Sequence, residues 1–167
     1  MAGRKFMTLS GGKKVLTASN NSSAGAADAN KIVSLNADGL IDPSMLTDSD
    51  VTNMVSSENL TAGDYINIFD DAGTVKARLA DNSNGRPAHG YVKDTVTAPA
   101  TVNVYFEGAN ANLSGLTEGA RIYLGTVGGI IETPLDPDTI TGDIHQLLGI
   151  AISDTEVNTD IQDCVTL

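Results

Sequence analysis

The stretch Ala62-Gly63-Asp64-Tyr65-Ile66-Asn67-Ile68 is followed by Val75-Lys76-Ala77-Arg78-Leu79-Ala80-Asp81 and then by Ala88-His89-Gly90-Tyr91-Val92. In the second run, apolar residues alternate with Lys76 and Arg78, and the first run alternates in the same way. A period of two places one side chain in the core and the next in solvent, which is typical of a half-buried β-strand. Gly, Asp and Asn separate the runs and favour tight turns. These residues predict successive strands with turns between them.

The same alternation continues toward the C-terminus, in Val102–Glu107, in Arg121–Leu124 and in Leu148–Ile152. Short strands about ten residues apart, with turn residues between them, favour a small β-barrel or a sandwich. The predicted turns are Asp70–Gly73, Asn82–Gly85, Gly108–Asn110, Val127–Gly129 and Asp136–Asp138.

Two short stretches resemble each other. Leu60-Thr61-Ala62-Gly63-Asp64-Tyr65-Ile66 is echoed 56 residues later by Leu116-Thr117-Glu118-Gly119-Ala120-Arg121-Ile122. Each stretch predicts a turn followed by a strand. We expect the two stretches to form equivalent corners of one small barrel.

The whole chain divides into three predicted parts. Residues 1–31 are rich in Gly, Ser, Ala and Asn and predict an extended arm. Residues 32–57 predict a connector with one short helix, because Thr47 can cap a helix in which Val51, Met54 and Val55 share a face. Residues 58–167 predict the β-barrel or sandwich knob. The expected fold is therefore mostly β, with an N-terminal extended arm.

Charge is distributed unevenly between the arm and the remainder. Residues 1–31 carry five cations and one acid, a balance of +4, whereas residues 32–167 carry five cations and twenty acids, a balance of −15. A basic block on an acidic body is typical of an interaction tail. The acidic body would repel phosphates, so we expect no nucleic-acid partner. No stretch approaches 18 consecutive apolar residues, so we expect no membrane partner either.

The arm also contains two short apolar islands, 6–9 and 15–16, beside its cations. A segment of this composition cannot bury enough apolar surface by itself to offset the entropy of ordering it. The sequence therefore predicts a partner surface that receives the arm. The predicted binding residues are Arg4, Lys5, Phe6, Leu9, Lys13, Lys14, Val15 and Leu16.

Residues that could carry out chemistry are sparse. His89 and His145 lie 56 residues apart, without zinc-ligand spacing and without a nucleophile motif. We expect structural roles for both, with His89 bonding a free backbone group where the strand of Gly90 begins. Cys164 is expected to be a small buried hydrophobe. The sequence predicts no enzyme and no cofactor or metal site, although calcium at the acidic loops is left open.

The segments Ala62–Ile68, Val75–Asp81, Ala88–Val92, Gly119–Leu124 and Gly142–Ala151 together resemble a family of tailed-phage virion proteins. These are capsid cement (decoration) proteins and related head-fibre β-domains. The resemblance implies a tulip-like barrel and a homotrimer that binds the major capsid protein. It also implies a place on the outer capsid surface of the virion, after synthesis in the cytoplasm of the bacterial host. The alternative is a head-fibre or tail-fibre module for host attachment.

Overall fold

The computed structural model describes residues 5–42, 45–46 and 50–167. The chain forms two compact units, Met1–Ser49 and Asp50–Leu167. Fourteen strands dominate the described residues, and helical structure is confined to short 3-10 turns such as Gly25–Asp28 and Asn82–Asn84. The prediction of a mostly β chain containing a barrel is confirmed.

The first unit contains one antiparallel hairpin. Its strands are β1 (Lys5–Ser10) and β2 (Lys13–Ala18), joined by a two-residue turn at Gly11 and Gly12. Both glycines have positive φ, 57° and 78°, which is the geometry that a tight hairpin of this kind requires. Beyond the hairpin, Asn20 forms an isolated parallel bridge with Val33.

The second unit begins with a closed five-stranded barrel in the order β3-β5-β4-β6-β7. Neighbouring strands pair in antiparallel fashion except β3 and β5, whose parallel pairing closes the barrel at Val55↔Lys76 and Ser56↔Ala77. Apolar side chains such as Ile66, Val92 and Val104 fill its interior. The strands are β3 (Val51–Ser56), β4 (Tyr65–Asp71), β5 (Thr74–Leu79), β6 (Gly90–Val92) and β7 (Thr101–Tyr105).

A five-stranded sheet follows, in the order β10-β9-β12-β13-β8. A separate two-stranded ladder pairs β11 with β14 near the C-terminus. The strands are β8 (Glu107–Asn110), β9 (Arg121–Leu124), β10 (Ile130–Ile131), β11 (Ile144–His145), β12 (Leu147–Ala151), β13 (Val157–Asp160) and β14 (Val165–Thr166).

The barrel and the second sheet have the same topology. If β3, β4, β5, β6 and β7 are matched in chain order to β8, β9, β10, β12 and β13, every antiparallel pairing of the barrel recurs in the sheet. Only the closing pair differs: within residues 107–160, all of which the structure describes, β8 and β10 are not paired. We call residues 51–105 repeat 1 and residues 107–160 repeat 2.

The two sequence echoes occupy matched corners of these repeats. In repeat 1 the amide of Gly63 donates to Val92 O, and the amide of Val92 donates to Asp64 O; Gly119, Ala151 and Ala120 make the same pair of bonds in repeat 2. Gly90 and Gly149 also correspond, since a Cβ on either would clash with a neighbouring backbone oxygen, of Tyr105 and of Asn158 respectively. The two turns are confirmed, but the expectation that both belong to one barrel is wrong.

The outer face of repeat 1 packs against the open sheet of repeat 2. Tyr65, Tyr91 and Tyr105 stand side by side across β4, β6 and β7, and the first two are fully buried against repeat 2. The Tyr91 hydroxyl donates to the carbonyls of Glu107 and Ala109 on β8, at distances of 3.2 and 3.0 Å. Both carbonyls belong to β8, the strand that is not paired with β10 in repeat 2.

The matched row on repeat 2 is exposed. The registers place Arg121, Ile150 and Asn158 where repeat 1 has its three tyrosines. All three lie on the surface, with Ile150 exposed to 49%. Arg121 and Asn158 are polar, as is typical of side chains that face solvent.

Several sequence predictions are corrected here. The helix predicted at 47–55 is wrong, because Val51–Ser56 is a barrel strand held between β5 and β7; Thr47 itself lies outside the described residues. The compact unit Asp50–Leu167 includes the C-terminal part of the predicted connector 32–57. The turn predicted at Gly108–Asn110 lies within β8. Cys164 is exposed, since it follows the last strand of repeat 2 rather than lying inside one.

Candidate functional site: the N-terminal hairpin

The hairpin β1–β2 contains most of the residues predicted to bind a partner. Its register pairs Met7 with Leu16 and Leu9 with Lys14, so these four side chains lie on one face together with Lys5. We call Lys5, Met7, Leu9, Lys14 and Leu16 the leucine face. The opposite face, which we call the threonine face, consists of Phe6, Thr8, Ser10, Lys13, Val15 and Thr17.

The two faces differ in exposure. Met7, Leu9 and Leu16 are 67%, 73% and 67% exposed, whereas Phe6 and Val15 are 38% and 39% exposed. On the threonine face the hydroxyls of Thr8 and Thr17 also bond each other across the strands, at 2.6 Å. The leucine face therefore presents the larger uncovered apolar surface.

The predicted site is thus divided between the two faces. Lys5, Leu9, Lys14 and Leu16 come together on the leucine face, while Phe6, Lys13 and Val15 lie on the threonine face. Arg4 lies outside the described residues. Sequence reasoning missed Met7, although its alternation with Leu9 along β1 is a period-two signal that could have identified it.

The remainder of the first unit is also rich in exposed apolar residues. The segment after the hairpin contains a loop that Asn36 holds in shape, because its side-chain oxygen accepts from the amides of Asp38 and Leu40 at 3.0 Å each. Gly39 N also donates to Asn36 O, which closes a turn over Asn36–Gly39. The exposed apolar residues are Ile32, Val33, Leu35, Leu40, Ile41 and Leu46.

The hairpin and the second unit carry net charges of opposite sign. Residues 5–18 carry three lysines and no acid, a charge of +3. Residues 50–167 carry five cations and seventeen acids, a charge of −12. The hairpin is therefore suited to partners with surface carboxylates, and the second unit would repel them.

The second unit contains a cleft with polar side chains in its lining. A cleft of about 430 Å³ lies where repeat 1 meets the end of repeat 2, and Glu107, Asp160, Asp163 and Cys164 line it. Gln146 forms part of its buried wall, but its amide is already bonded to Ala88 and Gln162. Among the described residues, no group of three or more His, Cys, Asp and Glu side chains is arranged to hold a metal ion.

The two histidines have separate surroundings. His89 Nδ1 accepts from the amide of Ile68 at 2.9 Å, which confirms the predicted bond to a free backbone group. The His145 ring lies 4.8 Å from the Tyr123 ring, and its buried Nδ1 has no hydrogen-bond partner among the described residues.

We expect replacement of His89 by alanine to lower the free energy of unfolding by about 1 kcal/mol or less, because the Ile68–His89 bond is at the surface and water can replace it. Desolvation lowers the pKa of His89 below its ordinary 6.5. The unfolded chain therefore binds the proton more readily, and the contribution of His89 is complete above pH 6.5 and decreases as the pH falls below it. Thermal unfolding of both proteins between about pH 8 and pH 5 checks this. A wild-type and an alanine variant with the same pH dependence would contradict it.

Comparisons with known proteins add no assignment: no family model, no curated protein and no solved structure matches this chain. A search of the described residues for a helix long and apolar enough to cross a bilayer found none.

Proposed function

We propose that this chain is a structural virion protein that binds the major capsid protein on the outer surface of a phage capsid and cements neighbouring subunits. One observation supports this above the others. Of the seventeen large apolar side chains that are exposed in the described part of the chain, eleven belong to the first unit, and among residues 5–42 and 45–46 no large apolar side chain is buried. Exposed apolar surface of this extent is typical of a protein–protein interaction site.

The second unit, in contrast, has a buried apolar core. Its two repeats share a continuous core in which Tyr65 and Tyr91 join Ile122, Leu148 and Val157. A rigid body of this kind can stand on a capsid surface while the first unit makes the attachment. Its charge of −12 keeps bodies on adjacent sites apart, so we expect contact with the capsid to run through the hairpin.

The alternative proposal is a head-fibre or tail-fibre module. The preshaped loop around Asn36, which presents Leu35, Leu40 and Ile41, is compatible with a connector that stacks against other fibre segments. The two functions differ in stoichiometry, because a cement protein occupies sites all over the capsid and a fibre occupies few.

The experiment is to add purified full-length chain to capsids produced without it, and to count bound copies per particle by quantitative mass spectrometry. Saturation at a copy number comparable to that of the coat-protein subunits is the expected result. Saturation at a handful of copies would favour the fibre. No saturable binding would contradict both.

We further expect the working form to be a homotrimer. Three linked hairpins would make attachment multivalent, and each additional contact would then form intramolecularly at high effective concentration. Native mass spectrometry of protein released from particles should give three times the chain mass of 17.3 kDa. A monomer that binds capsids as tightly as the released form would contradict the trimer.

A further inference from the structure

We infer that the leucine face of the hairpin is the docking surface, and that it binds an apolar strip of the coat protein flanked by carboxylates. This inference rests on the proposed function and adds which side chains make the contact and what chemistry they meet. The threonine face, the loop around Asn36 and the second unit are then not the primary contact.

The first argument is apolar surface. Met7, Leu9 and Leu16 are each at least 67% exposed, and they stand together because Met7 pairs directly with Leu16 while Leu9 is two residues along the same strand. A two-stranded hairpin is marginally stable in water by itself, so covering this face would stabilise the hairpin as well as the complex.

The second argument is charge. Lys5 lies at one end of the leucine face, and Lys14 lies directly across from Leu9 toward the other end. With no acid between residues 5 and 18, the two ammonium groups are not neutralised within the hairpin. A partner that buries the three apolar side chains therefore needs carboxylates beside its apolar strip, within reach of both lysines.

The third argument is the contrast with the threonine face. Its Phe6 and Val15 are little more than half as exposed as Leu9 and Leu16, and its Thr8–Thr17 bond satisfies two hydroxyls inside the hairpin. A face that is already partly covered and bonded within itself gains less from a partner than the leucine face does.

The register supplies matched variants for the test, because adjacent residues lie on opposite faces. Lys14→Glu reverses a charge on the leucine face, and Lys13→Glu makes the identical change one residue earlier on the threonine face. Leu16→Thr and Val15→Thr form the apolar pair, and threonine preserves the strand preference of both positions.

Binding of each full-length variant to capsids produced without this chain should be measured at low and high salt. We expect Lys14→Glu and Leu16→Thr each to weaken binding about 10-fold or more, as for residues at the centre of an interface, and Lys13→Glu and Val15→Thr to change it by less than about 3-fold. Added salt should reduce the difference between the two charge variants, because it screens the lysine–carboxylate attraction.

Other outcomes would overturn the inference. Equal losses of capsid binding from the variants of both faces, or a loss only from the threonine-face variants, would overturn the inference. Either result would still establish that the chain binds capsids. If Leu16→Thr instead lowered the sedimentation mass of the chain in the absence of capsids, the occupant would be a second copy of this chain. If the full-length chain failed to bind, the proposed function and this inference would fail together. The charge variants keep the test independent of hairpin folding, since Lys13 and Lys14 are both exposed.

Discussion

Replacing Tyr91 by alanine is expected to lower the free energy of unfolding of the second unit by about 4 kcal/mol, which is typical of the loss of a large buried aromatic side chain. Tyr91 is fully buried, and its ring stacks on that of Tyr105 with 5.6 Å between centroids. Its removal would leave a cavity between the repeats and would deprive two carbonyls of β8 of their donor. Chemical denaturation monitored by circular dichroism measures the loss.

Two matched variants separate the contributions. Tyr91→Phe keeps the ring and removes the hydroxyl, and we expect it to cost about 1 kcal/mol for the lost hydrogen bonds. Ile150→Ala alters the equivalent position of the exposed row on repeat 2, where we expect a change within about 0.5 kcal/mol. Similar losses from Tyr91→Ala and Ile150→Ala would show that the two rows do not differ as the structure indicates.

The strands with clear alternation were predictable from local sequence. A period of two is present in β4, at Ile66 and Ile68, and in β5. The turn that joins these two strands, at Ala72 and Gly73, has the positive φ that a tight hairpin needs. Alternation and turn chemistry are local properties, so one sequence is enough to identify them.

The strand β3 could not be identified in the same way. Val51, Met54 and Val55 have helical spacing, but Val51–Ser56 pairs with β7 on one side and with β5 on the other. Both partners are distant in the chain, and the closure of the barrel overrides the local preference. The same holds for β8, where Gly108 and Asn110 suggest a turn until pairing with β13 is known.

The internal repeat was visible at only one corner. Leu60–Ile66 and Leu116–Ile122 retain the turn, but the outer rows have diverged, with tyrosine at 65 and arginine at 121. The divergence has a physical reason, because one row is buried between the repeats and the other faces solvent. His89 and His145 are separated by 56 residues, the same separation as the two similar stretches. This coincidence is unrelated to the repeat, since His145 lies in β11, which has no counterpart in repeat 1.

The binding residues were predicted as a set, but not their division into faces. Composition and charge identified the arm, while the assignment of Lys14 and Leu16 to one face and of Lys13 and Val15 to the other required the strand register. Register depends on the position of the Gly11–Gly12 turn, and shifting it by one residue would exchange the faces.

Deleting residues 1–31 is expected to have the largest effect on function, because the deletion removes the whole hairpin and leaves residues 50–167 intact. The second unit has its own core around Ile66 and Leu148 and needs no residue of the first 31 to complete it. We therefore expect the shortened protein to remain folded and soluble, with the thermal unfolding of the second unit unchanged.

Capsid binding by this shortened protein tests the proposal that the hairpin attaches an otherwise self-contained body. The measurement is cosedimentation of the full-length and the shortened chain with capsids produced without either, over the same range of concentrations. We expect the full-length chain to saturate the particles and the folded, shortened chain to show no saturable binding. Saturation by the shortened chain at the same stoichiometry and concentration would contradict the account.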